Sequence, residues 1–484
     1  MTQSTEIAII GAGPGGVSAA VAAAEAGAQV TLIEEQPRAG GQYFKQLPPA
    51  LNSKELPPSL AQTAQHGREL IAKLDHPRIR LLSQTLVWSI TPERALELYA
   101  PEGGSRLQAR KVIVASGAYE RIVPFENWTL PGVTTVGAAQ LMLKGQGLIL
   151  GERILIAGTG PLLQLAAAQL IEAGAQVTAI VEMKPRSEYL LNASKLFGQW
   201  KKIGQGVANQ TLITRAGVPV KYGYAVKRVL GSKQVESAVI ARVDAAGKWI
   251  SGREEEIAAD TVCINFGFTP ATELTRLAGC QQRFDPNFGS WATVTNEELE
   301  TTIRGIFAVG ETRGIGGVET SLMEGRIAGN AAARQLGYAP KLNGGDPQKE
   351  WQAQRERSDT LGALFAVKSG LYESIPDDTI VCRCEEVTAG EIRAAARSGA
   401  TQLNSLKTWN RCGMGRCQGR TCGPVAAQII AAETGVSVEF AGTFTARPPI
   451  KPVPLGIVGA VEGEKPTGSA MEDHVGYGRA VVKS

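Results

Sequence analysis

Five of the seven cysteines lie between Cys382 and Cys422. Two form a Cys-x-Cys pair, and the other three follow at the end of the same stretch, at Cys412, Cys417 and Cys422. A disulfide scaffold spreads its bridges through a short secreted chain, so this clustering in a large chain indicates a single metal site instead. Thiolates bind zinc or a [2Fe–2S] cluster, and structural zinc favours Cys-x₂-Cys pairs that are missing from this pattern. Thiols without metal are the remaining alternative.

A glycine-rich turn near the start of the chain could hold phosphate groups. Gly11, Gly13 and Gly16 follow the apolar run Ile7–Ile10 and open an Ala-rich helical stretch, with Pro14 and Gly15 between them. These glycines allow a tight turn, close approach of a pyrophosphate and close packing of helix on strand. Glu34 follows 18 residues after Gly16, where a carboxylate accepts hydrogen bonds from ribose hydroxyls, with Glu35 beside it. The alternative is a turn that binds nothing.

Three later segments follow in order along the chain: Gly40-Gly41-Gln42, Ser116-Gly117 at the end of a predicted strand, and Thr301–Glu311. Together they resemble the flavoproteins with two dinucleotide-binding folds, the class of glutathione and thioredoxin reductases. The resemblance implies that the first site binds FAD and that the acid after Gly310 bonds the ribityl chain. This chain carries Glu311 where that class has Asp, and the extra methylene would shift the carboxylate. The redox disulfide of thioredoxin reductase is not expected, because outside the cluster there are only Cys263 and Cys280.

The first motif has a weaker copy about 147 residues later in the chain. Gly158 and Gly160 follow the strand-like run Ile154–Ala157, and Glu182 stands where Glu34 stands in the first unit. Leu163 replaces the third glycine, so the helix cannot pack as closely as in a standard NAD site. The second fold therefore holds NAD, another adenine nucleotide, or no ligand.

The cysteine segment resembles the [2Fe–2S] domain of the bacterioferritin-associated-ferredoxin type. There the Cys-x-Cys pair lies in an N-terminal loop and the second pair between helices. Thr388, followed by Glu391, has the residues of a helix start expected in such a domain. The resemblance implies Cys382, Cys384, Cys417 and Cys422 as ligands and leaves Cys412 as a fifth thiol, although Cys412 could replace Cys417. Four arginines lie nearby and would offset the negative charge of the thiolates: Arg383, Arg411, Arg416 and Arg420.

These motifs divide the chain into an α/β protein with two Rossmann-like folds and a small C-terminal domain. A helix is predicted over Gly325–Gln335, and the polar run Lys341–Arg357 is interpreted as a linker. An FAD domain is expected in two segments, 1–145 and 261–340, with the second Rossmann-like fold, 146–260, inserted between them. A linker over 341–377, a [2Fe–2S] domain over 378–437 and a Pro-rich tail over 438–484 complete the proposed layout.

The motifs together resemble the α (A) subunits of opine oxidases or dehydrogenases, and the related subunits of hydrogen cyanide synthase and hydroxyproline dehydrogenase. The resemblance rests on Val381–Val387, on Gly413–Cys422, on Trp128–Val133 and on Arg447–Leu455, and it covers nearly the whole chain. It implies a subunit that relays electrons through FAD and [2Fe–2S] within a membrane-linked or quinone-linked complex. The net reaction would cleave a secondary amino acid oxidatively to an amino acid and a 2-oxo acid.

The resemblance also implies partners. A β subunit of the glycine-oxidase type would carry its own flavin and oxidise the substrate, and a small ferredoxin-like γ subunit would accompany it. An FMN shared at a subunit interface is a further alternative, and the final acceptor would be a respiratory quinone or another electron acceptor. No acid–base pair or nucleophile stands out in this chain, and the three histidines, His66, His76 and His474, fall in no motif. We therefore name no catalytic side chain.

The composition of the chain narrows its possible binding partners and cellular location. With 50 Lys+Arg against 46 Asp+Glu, the charge is too balanced for a nucleic-acid-binding surface. No uncharged apolar run reaches the roughly 18 residues of a membrane helix, and no signal peptide precedes the first strand, so a cytoplasmic protein is expected, with peripheral contact to the inner membrane as an option. Two other functions stay open: a stand-alone NAD(P)H-dependent flavoprotein reductase that feeds the iron–sulfur domain, and a scaffold subunit with purely structural nucleotide folds.

Overall fold

The computed structural model describes residues 3–51, 56–191, 200–340 and 347–459. Its first sheet has seven strands in the order β3-β2-β1-β6-β5-β4, with β19 also paired to β6. The pairs among β1, β2, β3, β6 and β19 are parallel, and β4 and β5 add an antiparallel extension. The elements up to residue 120 are β1 (Gln3–Ile10), α1 (Pro14–Ala26), β2 (Val30–Ile33), α2 (Pro58–Ala72), β3 (Ile79–Leu82), β4 (Leu86–Ile90), β5 (Ala95–Ala100), β6 (Gly103–Val114) and β7 (Ala118–Glu120).

The register of this sheet places its functional turns side by side. Ile10 pairs with Ile33 and with Val114, and Val114 pairs with Ala308. The carboxyl ends of four parallel strands therefore meet at one edge, which is where open α/β sheets bind their ligands. The residues that follow these strand ends are the predicted site residues Gly11, Glu34, Ser116 and Gly310.

A second sheet of five parallel strands, β11-β10-β9-β15-β8, carries the second glycine motif, and β12–β14 form an antiparallel sheet beside it. The two sheets share a core in which Leu155, Val181 and Ile240 are buried. The elements are β8 (Val133–Thr135), α3 (Val136–Gln146), β9 (Arg153–Gly158), α4 (Pro161–Glu172), β10 (Gln176–Glu182), α5 (Arg186–Leu191), α6 (Trp200–Arg215), β11 (Val220–Tyr222), β12 (Tyr224–Leu230), β13 (Ser237–Val243), β14 (Trp249–Ala258) and β15 (Thr261–Asn265).

The chain then returns to the first sheet. Its elements are β16 (Phe268–Pro270), α7 (Glu273–Leu277), β17 (Gln282–Asp285), β18 (Ser290–Thr293), β19 (Ile306–Ala308) and α8 (Gly317–Gln335), with β16 paired to β7. Helix α8 begins eight residues before the predicted start and packs closely on α1. A Cβ on Gly325 would lie 2.1 Å from the Gly15 carbonyl oxygen, and one on Gly329 would lie 2.4 Å from the Ala19 oxygen. These two glycines allow the close approach of the helices.

The segment predicted as a linker differs from that expectation. Residues 347–364 form a helix, α9, with one buried face, and α10 (Ser369–Glu373) follows it. The prediction rested on high polarity, and the buried face of α9 is itself polar, so no apolar periodicity marked the helix.

The cysteine segment folds as a short hairpin and a group of helices. It contains β20 (Ile380–Cys382), β21 (Val387–Thr388), α11 (Ala389–Arg397), α12 (Leu403–Asn410), α13 (Cys422–Thr434), α14 (Val438–Ala441) and α15 (Leu455–Val458). The helix start expected at Thr388 is confirmed, with a capping box between Thr388 and Glu391. The proline-rich stretch crosses to the first sheet, where the Ile450 N–H donates to the Trp88 carbonyl at 3.0 Å. Residues 460–484, including His474, lie outside the described residues. In the described ranges no helix combines the length and apolarity needed to cross a membrane.

Candidate functional site: a flavin fold joined to a cysteine cluster

The first glycine turn has the shape that a pyrophosphate needs. Gly11 adopts φ +99°, and a Cβ on Gly16 would lie 1.8 Å from the Gly11 carbonyl oxygen, so both positions require glycine. At Gly13 the nearest atom to such a Cβ would be the Gly41 Cα at 3.9 Å, an ordinary van der Waals distance, so the protein does not crowd the backbone there. Pro14 begins helix α1, and the free N–H groups of its first turn favour an anion. This glycine cradle fits a dinucleotide phosphate.

Glu34 lies at the rim of this turn with 7% of its surface exposed. Its Oε2 accepts from the Ala12 N–H and its Oε1 from the Gln36 N–H, both at 2.8 Å. Burial raises the pKa of this carboxyl, and the two backbone hydrogen bonds oppose that shift. Each oxygen keeps a second lone pair, so the carboxylate orders the turn and can still accept from a ribose hydroxyl. Glu35 points to solvent and pairs with Lys451 from the tail.

The remaining first-site residues gather around the same edge. Gly41 adopts φ +60° against Gly13, while Gln42 is exposed beyond it. A Cβ on Gly15 would lie 3.2 Å from the Ser321 carbonyl oxygen and 3.8 Å from the Gly310 nitrogen. Gly15 therefore brings the first turn against the segment that contains Gly310.

The opposite end of the site joins two strand ends through Thr312. Its Oγ1 accepts from the Gly117 N–H at 3.1 Å and lies 3.1 Å from the Ser116 Oγ. Glu311 precedes it in a short 3₁₀ turn, and burial raises the pKa of this carboxyl to about 7. The nearby Glu324 carboxylate adds to that shift, whereas Arg355 opposes it. Glu311 thus occupies the predicted position as a partly buried acid that is easily protonated.

Glu324 belongs to the site but to none of the sequence motifs. It is a carboxylate in helix α8 with no exposed surface. Its Oε2 accepts from the Gly310 N–H at 2.7 Å, which fixes the backbone next to Glu311. The sequence signal that could have identified Glu324 was its position as an acid inside an Ala- and Gly-rich helix that packs on another helix. Charged residues are almost never fully buried unless they are paired.

The second glycine turn resembles the first at Gly158 but differs at the next glycine, because Gly13 adopts φ −74° and Gly160 a positive φ. Gly158 and Gly160 adopt φ +136° and +113°, and Glu182 accepts from the Gly160 N–H at 3.1 Å and from the Lys184 N–H at 2.9 Å. A Cβ on Gly160 would lie 4.0 Å from the Phe365 ring, which comes from the segment after α9. The Tyr189 ring packs edge-on against Phe365 at 5.8 Å. Aromatic side chains therefore lie beside the second turn, where the first turn is flanked by the backbone of Gly41.

The five clustered cysteines lie together around the start of helix α13. The sulfurs of Cys382, Cys412 and Cys422 lie within 4.8 Å of one another, and all three residues are buried. Cys417 contacts the sulfurs of Cys422 and Cys384, and contact with the Cys422 thiol lowers the pKa of Cys417. Cys384 is the exposed member. The structure thus groups the predicted ligands Cys382 and Cys422 with Cys412, which was predicted to be a non-ligand, and the predicted ligands Cys417 and Cys384 adjoin this group.

This donor set fits a thiolate-bound metal centre, since soft sulfur ligands select zinc or iron–sulfur clusters. The two remaining cysteines lie apart from it in the cores of the sheets: Cys263 is fully buried, and Cys280 is 4% exposed and donates to Thr301. Of the nearby arginines, Arg411 pairs with Glu385 at 2.8 Å and Arg420 with Glu273 at 3.0 Å. Half of the positive charge expected around the cluster is therefore neutralised locally.

Two family models and a solved structure match this chain. Residues 5–332 match the pyridine nucleotide-disulphide oxidoreductase family, and residues 377–462 match the sarcosine oxidase A3 domain. The L-proline dehydrogenase of P. horikoshii superposes with a TM-score of 0.66 at 21% identity, over 94% of this chain and 79% of that chain, which shows a common fold. Fold and site together define an FAD-binding flavoprotein oxidoreductase.

The A subunit of the opine oxidase from Rhizobium meliloti (strain 1021) is 33% identical over 466 residues, which cover 93% of this chain and 97% of the relative. The HcnB subunit of hydrogen cyanide synthase from Pseudomonas protegens is 30% identical over 468 residues, covering 92% and 96%. The chain belongs to the family of opine oxidase A subunits. The resemblance inferred from the motifs is thereby confirmed, as are the oxidoreductase class and FAD.

Proposed function

We propose that this chain is the FAD- and [2Fe–2S]-containing electron-transfer subunit of a multi-subunit opine dehydrogenase. Its partner would be a substrate-oxidising flavoprotein subunit of the glycine-oxidase type. The complex would convert an N-(carboxyalkyl) amino acid, water and an oxidised acceptor into an amino acid, a 2-oxo acid and the reduced acceptor. The relatives that support this proposal are named as subunits of oxidases and synthases.

The observation that carries the proposal is the position of the cysteine cluster against the flavin fold. Arg420, within the Cys417–Cys422 loop, donates to the Tyr119 hydroxyl at 2.8 Å. Tyr119 lies in strand β7, two residues after Gly117. A redox centre at the cysteines would therefore lie close in the fold to the strand end that would contact the flavin, as an electron relay requires.

The side chains of this subunit hold and orient rather than transfer protons. FAD, when bound, supplies the redox chemistry of the subunit. The Gly11–Gly16 turn would hold its pyrophosphate, Glu34 its ribose, and the segments at Ser116–Gly117 and Gly310–Glu311 its flavin end. We assign Cys382, Cys384, Cys417 and Cys422 as ligands of the [2Fe–2S] cluster.

Coexpression with the neighbouring open reading frames tests the proposal. The purified complex should contain FAD, iron and acid-labile sulfide, and should reduce an artificial acceptor with a secondary amino acid as the donor. Rapid flavin bleaching of the isolated chain by NADH would instead indicate a stand-alone reductase. A complex without iron or sulfide would contradict the electron relay.

A further inference from the structure

Helix α9 presents a polar face to the protein interior. Every third or fourth residue along one side is buried, with 6 to 9% of its surface exposed: Trp351, Gln354, Arg355 and Ser358. The residues on the opposite side, such as Gln352 and Glu356, are exposed. Burying polar groups costs free energy unless each forms a hydrogen bond. A buried polar face is therefore stable only against a surface that supplies matching hydrogen-bond partners.

The partners of this face are backbone groups in the loop between Gly310 and helix α8. Arg355 Nη1 donates to the Gly314 carbonyl at 3.1 Å, and Ser358 Oγ donates to the Gly316 carbonyl at 3.0 Å. Gly314 adopts φ +140°, and a Cβ there would lie 2.5 Å from Arg355 Nη2. Specific hydrogen bonds and one close contact therefore join the loop to the helix.

Glu324 connects α9 to the start of the same loop. Its Oε1 accepts from Trp351 Nε1 at 3.0 Å and from Arg313 Nη1 at 3.2 Å, while its Oε2 accepts from the Gly310 N–H at 2.7 Å. The Arg313 guanidinium lies 4.8 Å from the centre of the Trp351 ring. One buried carboxylate therefore links the Gly310 backbone to a side chain forty-one residues away in the sequence.

We propose that helix α9 helps to form the flavin site. Its polar face and Glu324 position the Gly310–Gly317 segment, which carries Glu311, and thereby set how tightly the protein holds FAD and at what potential the flavin is reduced. Trp351, Arg355, Ser358 and Glu324 are positioning residues in this arrangement. The inference rests on the flavin fold and is independent of the proposed iron–sulfur cluster.

The test compares the full-length variants Trp351→Phe, Ser358→Ala and Glu324→Gln with the exposed-face controls Gln352→Ala and Glu356→Gln. FAD affinity is measured by reconstituting the flavin-free protein and following flavin fluorescence, and the midpoint potential by equilibration with redox dyes. Removing one buried hydrogen bond should weaken FAD binding by about five-fold and shift the flavin absorption spectrum and potential. The controls should stay within about two-fold of the parent protein.

Thermal unfolding of the same variants separates positioning from simple stability. Variants that unfold at a lower temperature but keep the parent FAD affinity, spectrum and potential would overturn the inference, because α9 would then only stabilise the fold. Trp351→Phe and Ser358→Ala are conservative, so the test stands even where Glu324→Gln fails to fold. A parent protein that neither retains nor takes up FAD would overturn the flavin assignment together with this inference, whereas a parent that lacks only iron would contradict the proposed relay alone.

Discussion

Arg420 and Tyr119 join the cysteine loop to the flavin fold through a hydrogen bond of 2.8 Å. The same guanidinium pairs with Glu273 at 3.0 Å, with side-chain exposures of 8% and 14%, and donates to the Ile450 carbonyl at 2.9 Å. Burial raises the pKa of Tyr119 to about 12, so its hydroxyl stays protonated and accepts from Arg420 through oxygen. A single side chain therefore holds the cysteine loop, the strand after Gly117 and the tail in one arrangement.

Replacing Arg420 by Met should destabilise the protein strongly. The change removes the ion pair with the partly exposed Glu273 and the hydrogen bonds to Tyr119 and Ile450, which together should cost about 3 kcal/mol. Urea unfolding measures the effect, and Arg416→Met is the matched control because Arg416 is exposed in the same loop. An equal unfolding midpoint for the two variants would show that Arg420 does not hold the loop in place.

Two glycine substitutions in the first turn should have different consequences. Gly13→Ala places its methyl 3.9 Å from the nearest atom at φ −74°, so the protein should fold with a melting temperature near that of the parent but lose FAD, because the methyl enters the pyrophosphate cradle. Gly16→Ala should fail to fold, since its methyl would lie 1.8 Å from the Gly11 oxygen. Circular dichroism and flavin content of the purified variants check both expectations. A Gly13→Ala protein that retains FAD would contradict this placement of the phosphates.

The flavin-free protein should lose stability as the pH rises through the range set by Glu311. The folded-state pKa of about 7 lies above the ordinary value of 4.5, so the folded state binds the proton more tightly than the unfolded state. The contribution of Glu311 is therefore most favourable below pH 4.5 and falls by about 3 kcal/mol as the pH rises through 7. Melting temperatures of the parent and of Glu311→Gln between pH 5 and 8 isolate the effect. Parallel curves for the two proteins would exclude it.

Single Cys→Ser changes should distinguish the four ligand thiols from the one non-ligand thiol. Changes at the four proposed ligands, Cys382, Cys384, Cys417 and Cys422, should abolish iron binding and the visible absorption of the cluster. Cys412→Ser should retain iron, despite the proximity of its sulfur to those of Cys382 and Cys422. Iron and sulfide analysis of the purified variants decides the set. Loss of iron in Cys412→Ser with retention in Cys417→Ser would transfer the ligand role to Cys412.

The local features of this protein were readable from its sequence. Each glycine turn needs a positive φ angle and close backbone contact. Each acid after the second strand accepts a hydrogen bond from the glycine turn before it. The type and spacing of these residues were therefore enough to predict them. The helix start at Thr388 belongs to the same group, because a capping box joins residues only three positions apart.

The tertiary structure decided the relationships between distant segments. Helix α9 has no apolar stripe because its buried face bonds to a loop, and that complementarity exists only after folding. The same holds for Phe365 at the second glycine turn, for Cys412 within the thiol group, and for Arg420 on Tyr119, 301 positions apart. Contacts of this kind depend on how separate elements pack, and no short pattern in the chain encodes them.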